Sequence, residues 1–216
     1  ALAVTVLHLG FTMNNFYYFS MIYLNDWVYW DEPFVERLSD LDKSVRITGL
    51  HDAAKYYKVT RNFKKIAENV RLEKALDELE LISRPTNAEE AISAVNDLST
   101  ALMNIYGKNA VSAASKFLWL KFKNPIVIYD SRAFEWLKAR GYQISVGDYA
   151  SYYDAWSRAY CAVESEIDMS VKGLYKVKEY SQAYDRDEQT IKSLTSERWF
   201  KERIFDKYLW FNAGNG

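Results

Sequence analysis

The sequence predicts an all-α fold. Three observations favour that class: few glycines and prolines, a high apolar fraction, and apolar residues at helical spacing. Its 216 residues include only eight glycines and three prolines, whereas β-sandwiches and barrels need turn residues about every ten positions. Apolar residues make up 49% of the chain, enough to bury a continuous core. In several stretches they recur at three- and four-residue steps, the period of an amphipathic helix. We therefore expect one compact multi-helix domain over residues 1–216, which could divide into two lobes around a cleft.

Residues 1–30 are expected to form a packed N-terminal arm. The opening residues are apolar, but a membrane-spanning helix needs ~20 uninterrupted apolar residues, and four polar residues interrupt the stretch that follows: Asn14, Asn15, Asn25 and Asp26. No membrane association is expected. Asp31, Glu32 and Pro33 then predict a helix start, because acidic residues and proline favour the first helical turn. A short helix through Leu38 follows.

The middle of the chain predicts two long helices. The first runs from about His51 to Leu81, with apolar residues at helical spacing: Phe63, Ile66, Ala67, Val70, Ala75, Leu76 and Leu79. Arg84 and Pro85 end this helix, since the residue before a proline is pushed out of helical geometry. Residues 86–90 predict a capped start for the second helix. Gly107 suits its left-handed C-terminal cap.

Five further helices are expected after Gly107. Ser112 or a neighbour caps the first, which must stop before Pro125. A short apolar segment, residues 125–129, leads to Asp130, a good N-cap for a helix that Gly141 closes. The last three span about 148–167, 172–183 and 196–211. The final helix carries Trp199, Phe205 and Leu209 near helical spacing, which predicts that it packs on the domain.

Charge is unevenly distributed along a nearly neutral chain. The formal net charge is −1, yet the basic residues concentrate in residues 43–74 and in residues 104–129. The second of these ranges contains no acidic residue. Such segregation predicts one positive face, the usual way to meet a phosphate backbone. Ordinary solvated helix faces would give the same pattern.

Cysteine and histidine are too sparse for several classes of site. Cys161 is the lone cysteine, so no internal disulfide is possible, and no Cys/His spacing is typical of a zinc or iron–sulfur site. We expect a soluble, cytoplasmic protein without a metal or another cofactor. The two histidines, His8 and His51, are isolated in sequence and more typical of structural roles.

Residues 112–136 carry the pattern with most chemical content. Lys116 lies near the start of a helix, an apolar segment follows a proline break, and Asp130 precedes the next helix. This pattern resembles the core of the helix-hairpin-helix DNA glycosylase superfamily and is closest to its 8-oxoguanine DNA glycosylase-like branch. By that resemblance, residues 104–141 would hold the hairpin, here reduced to Gly107, and the catalytic segment. The missing cluster cysteines exclude one branch of the superfamily.

The resemblance implies that Lys116 is a nucleophile and that Asp130 assists it in releasing a damaged or modified base from DNA. The chemistry suits these residue types, because an amine can attack the anomeric carbon and leave a Schiff base that permits strand cleavage. A nearby carboxylate stabilises the positive charge that develops on the sugar. The amine must be neutral, and burial beside Phe117, Trp119 and Leu120 would lower its pKa.

DNA is the expected partner, and further residues are expected to bind it. Phosphate contacts are assigned to the helix end and to basic side chains: Gly107, Lys108, Asn109, Lys121 and Arg132. Trp119 and Tyr129 are assigned to a base pocket or wedge, since a base must leave the duplex before it can react.

Two alternatives stay open at the level of sequence. The chain could be a non-catalytic helical module that binds nucleic acid, or one that binds another protein. Asp130 is equally what any helix favours at its N-cap, and Trp119 is equally suited to the core.

Overall fold

The computed structural model describes residues 14–62 and 69–213, and within these ranges the chain is all-α, as predicted. Eleven α-helices occur there: α1 (Asn14–Asp26), α2 (Glu32–Leu38), α3 (Lys43–Tyr56), α4 (Asn69–Leu81), α5 (Ala88–Tyr106), α6 (Val111–Phe122), α7 (Ser131–Ala139), α8 (Tyr149–Cys161), α9 (Glu164–Val171), α10 (Glu188–Ser196) and α11 (Arg198–Asn212). A π-helical turn, Trp27–Asp31, joins α1 to α2, and 3₁₀ helices form at Val59–Asn62 and Leu174–Tyr180. None of the described helices is long and apolar enough to cross a membrane.

Helix α5 begins and ends where the sequence predicts. Asn87 is its N-cap, and the Asn87 side chain accepts a hydrogen bond from the backbone N–H of Glu90 at 2.9 Å. The Glu90 carboxylate in turn accepts from the backbone N–H of Thr86 at 2.7 Å, so two unpaired amides at the helix start are satisfied together. At the other end Gly107 adopts φ 72°, the left-handed conformation that glycine tolerates best.

The first 62 residues depart from the predicted elements in two ways. Residues 14–30 form α1 and most of the π-helical turn rather than an arm, and Phe16, Tyr23 and Leu24 are fully buried; residues 1–13 lie outside the described part of the chain. The long helix predicted from His51 to Leu81 is interrupted, because α3 ends at Tyr56 and Lys58 adopts a left-handed φ of 56°. The part of that predicted helix at 63–68 also lies outside the described residues.

Smaller departures occur after Gly107. The start of α6 is at Val111, where the side chain of Asn109 rather than Ser112 accepts the first backbone N–H, at 3.1 Å. The predicted helix 148–167 is divided into α8 and α9, and most of the predicted helix 172–183 is a 3₁₀ helix. Helix α10 was not predicted, although Asp187 caps it by accepting from Thr190 N at 2.9 Å.

Helices from the two ends of the described chain close the core together. Aromatic side chains of α1 pack on those of α11, with ring centroids 5.0 Å apart for Phe16 and Tyr208 and 4.9 Å apart for Tyr23 and Phe200. Aromatic rings bury large areas and prefer tilted contacts at this spacing. The predicted docking role of the last helix is therefore confirmed.

Residues 126–130 connect the turn at Asn124 and Pro125 to α7 without helix or strand structure, and residues 126–129 are buried. Buried backbone groups need hydrogen-bond partners, and side chains of α8 and α6 supply them: Tyr149 Oη accepts from Val127 N (3.1 Å) and donates to Val127 O (2.6 Å), Tyr152 Oη donates to Ile128 O (3.0 Å), Tyr153 Oη donates to Pro125 O (3.1 Å), and Ser115 Oγ accepts from Tyr129 N (2.9 Å). The tyrosines of α8 thus replace a neighbouring strand, and the segment delivers Asp130 to the start of α7.

Replacing Tyr149 with phenylalanine should destabilise the protein. The substitution leaves both the N–H and the carbonyl of Val127 buried without a partner, which typically costs about 1–3 kcal/mol. Urea unfolding should show a lower midpoint with an unchanged m value. Tyr180→Phe is the matched control, because Tyr180 is 84% exposed and should unfold like the parent. A Tyr149→Phe midpoint equal to the parent's would contradict this account of the segment.

Candidate functional site

Asp130 is fixed at the point where this connecting segment meets α7. Its Oδ1 accepts a hydrogen bond from the backbone N–H of Arg132 at 2.9 Å, so the N-cap prediction is confirmed. A carboxylate at a helix N-terminus also interacts favourably with the helix dipole. This cap uses one carboxylate oxygen and leaves Oδ2 facing α6.

The structure brings Lys116 and Asp130 together. Lys116 lies in the middle of α6 and is only 4% exposed. Its Nζ donates to Asp130 Oδ2 at 3.2 Å and to the hydroxyl of Ser112, one helical turn earlier, at 3.0 Å. The ring of Tyr57 lies 5.9 Å from the same nitrogen. The amine is therefore held in one orientation by two acceptors and an aromatic face.

Burial lowers the pKa of the Lys116 amine. Removing an ammonium group from water disfavours its charged form, and the nearby Arg203 cation acts in the same direction. The charge and hydrogen bond of Asp130 oppose the shift without cancelling it. The net direction is the one that a nucleophilic amine requires, since only the neutral form can attack.

The pair lies on the wall of a cavity of about 1030 Å³. Its lining comes from distant parts of the chain: α1, the end of α3 with residues 57–59, residues 109–116, residues 128–133, residues 146–147, and residues 203–211 of α11. That volume is at the upper end of the range of about 300–1,000 Å³ typical of small-molecule pockets.

A network of buried charges lies behind the pair. At its centre is Arg203 of α11, which is 5% exposed, and its contacts connect four helical segments: Arg203 Nη1 to Asp206 Oδ2 (2.9 Å), Trp156 Nε1 to Asp206 Oδ1 (2.8 Å), Arg203 Nη2 to Asp31 Oδ2 (3.5 Å), Tyr57 Oη to Asp31 Oδ1 (2.7 Å) and Tyr23 Oη to Asp31 Oδ2 (3.2 Å). Buried charges need such partners because desolvation is costly. The network anchors Tyr57, and Tyr57 in turn faces Lys116.

Sequence reasoning missed this network, although α11 carries a signal for it. Trp199, Arg203, Asp206 and Trp210 follow one another at steps of four, three and four residues, so they share one helix face. Opposite charges between two tryptophans on one face are unusual for a solvated stripe. The sequence around Asp31 did not indicate a buried ion pair, because an acidic residue at that position is already explained by the expected helix start.

Two predicted binding residues reach the cavity through ordered contacts. Tyr129 lines it, and its hydroxyl accepts from the backbone N–H of Gly147 at 3.2 Å. Asn109 also lines it, on the side where Gly147 approaches closely. Gly147 has φ 79°, and a Cβ there would lie 3.2 Å from Asn109 Nδ2, so this position favours glycine.

Arg132 is the third predicted residue that lines the cavity. Its guanidinium lies over the ring of Trp210, 4.1 Å from the centroid, and its side chain is exposed. This contact orients the cation at the opening of the cavity.

Other predicted binding residues lie elsewhere, and the structure corrects their assignment. Trp119 is 1% exposed in the core, packed against the ring of Trp199, and does not line the cavity. The Lys121 ammonium donates to three carbonyl groups that follow or end α4: Leu79 (2.8 Å), Glu80 (3.2 Å) and Ile82 (2.9 Å). All three of its donors are used there, so Lys121 has a structural role.

Gly107 and Lys108 are exposed outside the cavity lining. The backbone N–H of Gly107 donates to the carbonyl of Met103 at 2.7 Å. That amide closes α5, so it is not available to a phosphate as the sequence suggested.

Comparison with known proteins gives no relative, since no family model, curated protein or solved structure matches the chain. Among the residues that the structure describes, no group of three or more His, Cys, Asp or Glu side chains is placed to hold a metal ion. The geometry around Lys116 and Asp130 is therefore the basis on which a function can be assigned.

Replacing Asp130 with asparagine should lower the pKa of Lys116 further. Asparagine keeps the N-cap but removes the negative charge that favours the charged amine. An NMR titration of ¹³C-methylated lysines would follow this directly. Lys116 in the parent should titrate below the lysines of the unfolded chain, and lower again in Asp130→Asn. A Lys116 midpoint that rises in the variant would contradict the electrostatic assignment.

Proposed function

We propose that this protein is a DNA glycosylase with AP-lyase activity that excises a damaged or modified base. The observation that supports the proposal is the Lys116 amine, buried and hydrogen-bonded to Asp130 at 3.2 Å on the wall of a large cavity. Nucleophile, carboxylate and space for a nucleoside occur together, which is the arrangement that amine-dependent base excision needs.

In this proposal the neutral Lys116 amine attacks C1′ of the target nucleotide. The C1′–N bond breaks, its electron pair leaves with the base, and the base takes up a proton. The new secondary ammonium then loses a proton, and the C1′–O4′ bond opens as O4′ is protonated. A protonated Schiff base between Lys116 and C1′ results, from which loss of a C2′ proton expels the 3′ phosphate.

Asp130 has two roles in this sequence. Its carboxylate lies beside the carbon that becomes positively charged, where a fixed negative charge lowers the barrier. Its Oδ2 also accepts a hydrogen bond from the amine, so it can take the proton that Lys116 must lose. Ser112 accepts a second hydrogen bond from Nζ at 3.0 Å and keeps the amine directed.

The cavity has groups suited to a base that has left the duplex. Tyr129 and Trp210 offer aromatic faces, while Asn109 and the paired Asp26 and Lys207 offer donors and acceptors. Flipped bases are generally held by stacking and by hydrogen bonds to their edges. The lining therefore provides both kinds of contact around the amine.

Borohydride trapping tests the proposed chemistry. Duplexes that carry 8-oxoguanine, uracil or an abasic site should give a covalent adduct with the parent protein, and the trapping rate should rise with pH as the Lys116 amine loses its proton. Lys116→Gln and Lys116→Arg should form no adduct, because neither side chain offers a neutral primary amine. Lys138→Gln, at an exposed position of α7, is the matched control and should react like the parent.

The other outcomes separate the alternatives. An adduct that persists in Lys116→Gln would transfer the chemistry to another amine. Salt-dependent DNA binding without an adduct on any substrate would favour the non-catalytic nucleic-acid-binding alternative. Failure to bind DNA at all would favour the protein-interaction module.

A further inference from the structure

Basic side chains outnumber carboxylates in the cavity lining, although burial favours the neutral form of Lys116 and Asp31 gives Arg203 a second carboxylate partner. Five cationic side chains and three carboxylates line it within the described part of the chain. Each carboxylate pairs with one of the cations: Asp26 with Lys207 at 2.6 Å, Asp130 with Lys116 at 3.2 Å, and Asp206 with Arg203 at 2.9 Å. The two cations that remain are Lys58 and Arg132.

Neither Lys58 nor Arg132 has a carboxylate partner among the described residues, and both side chains are exposed at the cavity. Two unneutralised cations at one cavity create a positive potential there, which favours an anionic ligand.

The backbone holds Lys58 in an uncommon conformation. Its φ is 56°, in the left-handed region that non-glycine residues rarely adopt. The residues on both sides are anchored, because the Tyr57 hydroxyl donates to the buried Asp31 at 2.7 Å and Val59 is 2% exposed. Uncommon backbone conformations that the surroundings enforce concentrate at functional sites.

Arg132 is held just as firmly, through different contacts. Its backbone N–H is bound by the Asp130 cap, and its guanidinium rests on the Trp210 ring. A guanidinium is weakly hydrated and presents several donors in a plane, which suits a phosphate oxygen pair.

The two cations come from two separate segments of the cavity wall, each adjacent in sequence to a residue of the candidate site. Lys58 directly follows Tyr57, whose ring faces the Lys116 amine at 5.9 Å. Arg132 lies two residues after Asp130, which is the other member of the candidate catalytic pair. A nucleotide whose C1′ meets Lys116 has one phosphate on its 5′ side and another on its 3′ side.

We propose that Lys58 and Arg132 form a two-point clamp for the phosphodiesters on either side of the reacting nucleotide. The substrate of the cavity is then a polynucleotide and not a free nucleoside, because only a chain supplies both phosphates. The inference rests on the proposed function in one respect, namely that the residue between the phosphates is the one that Lys116 attacks.

Salt-dependent binding tests the clamp without using catalysis. The probe is a duplex with one tetrahydrofuran abasic analogue, which cannot react with an amine, and fluorescence anisotropy gives its affinity over a series of NaCl concentrations. Each phosphate contact contributes about 0.9 to the slope of log affinity against log salt. Lys58→Ala and Arg132→Ala should each reduce the slope by about 1, and the double variant by about 2.

Matched controls come from the end of α3, next to Lys58, and from α7, which carries Arg132. Lys55 and Lys138 are exposed and do not line the cavity, so Lys55→Ala and Lys138→Ala should keep the parent slope. Equal slopes for parent and double variant would overturn the clamp, as would equal losses in the controls or no duplex binding by the parent. Base release from a free nucleoside as fast as from a duplex would also overturn it.

The clamp and the chemistry fail in distinguishable ways. If the Lys58→Ala/Arg132→Ala double variant loses about 2 from the parent slope while the parent traps nothing, the chemistry is wrong and the clamp stands. If trapping depends on Lys116 but the double variant keeps the parent slope, the chemistry stands and the clamp is wrong.

Discussion

The hydrogen bonds from the tyrosines of α8 to the segment 125–129 are the interaction on which the site depends. A non-helical chain buried in a helical protein has backbone donors and acceptors with no strand beside it, and leaving them unpaired would be costly. Tyr149, Tyr152 and Tyr153 satisfy three of its residues from one side. The segment can therefore remain buried and end at Asp130, on the wall of the cavity. A helix in its place would advance only about 1.5 Å per residue and would direct its side chains around an axis.

The Lys116 amine shows a balance between two opposing electrostatic effects. Desolvation of an ammonium group costs several kcal/mol in a protein interior, and it lowers the pKa of this amine. Asp130 offsets part of that cost, and Ser112 satisfies another N–H. A stronger carboxylate environment would keep the amine charged and unreactive. Stronger desolvation would remove the charge of the amine, and Asp130 would then have no cation beside it. The observed pairing holds the amine in place while favouring its neutral form more than water does.

Arg203 makes the packing arrangement of several helices specific, because its carboxylate partners must be held in place. Its guanidinium lies between Asp31, at the end of the π-helical turn, and Asp206 of its own helix, and the indole ring of Trp119 is 4.9 Å away. Packing of apolar residues tolerates small shifts, whereas a buried cation needs its acceptors in place, since removing one partner leaves an uncompensated charge. The contact also explains why Trp119 belongs to the core: its ring faces Arg203 and Trp199 rather than the cavity.

Features that depend on neighbours a few residues apart could be predicted from the amino-acid sequence. The all-α class, the caps of α5 and α7, and the left-handed turn at Gly107 follow from contacts between residues at most four positions apart, and each could be predicted. The expectation that Lys116 and Asp130 lie together came from the family resemblance, because the two residues are 14 positions apart and local spacing does not join them. The tertiary structure decided whatever depends on distant partners. It broke the expected helix at Lys58, made α1 part of the core and paired Lys121 with the carbonyls at the end of α4. It also built the network of Arg203 and Asp31 from opposite ends of the chain. Periodicity describes a single helix, whereas burial and ion pairing depend on which helices meet, and only packing settles that.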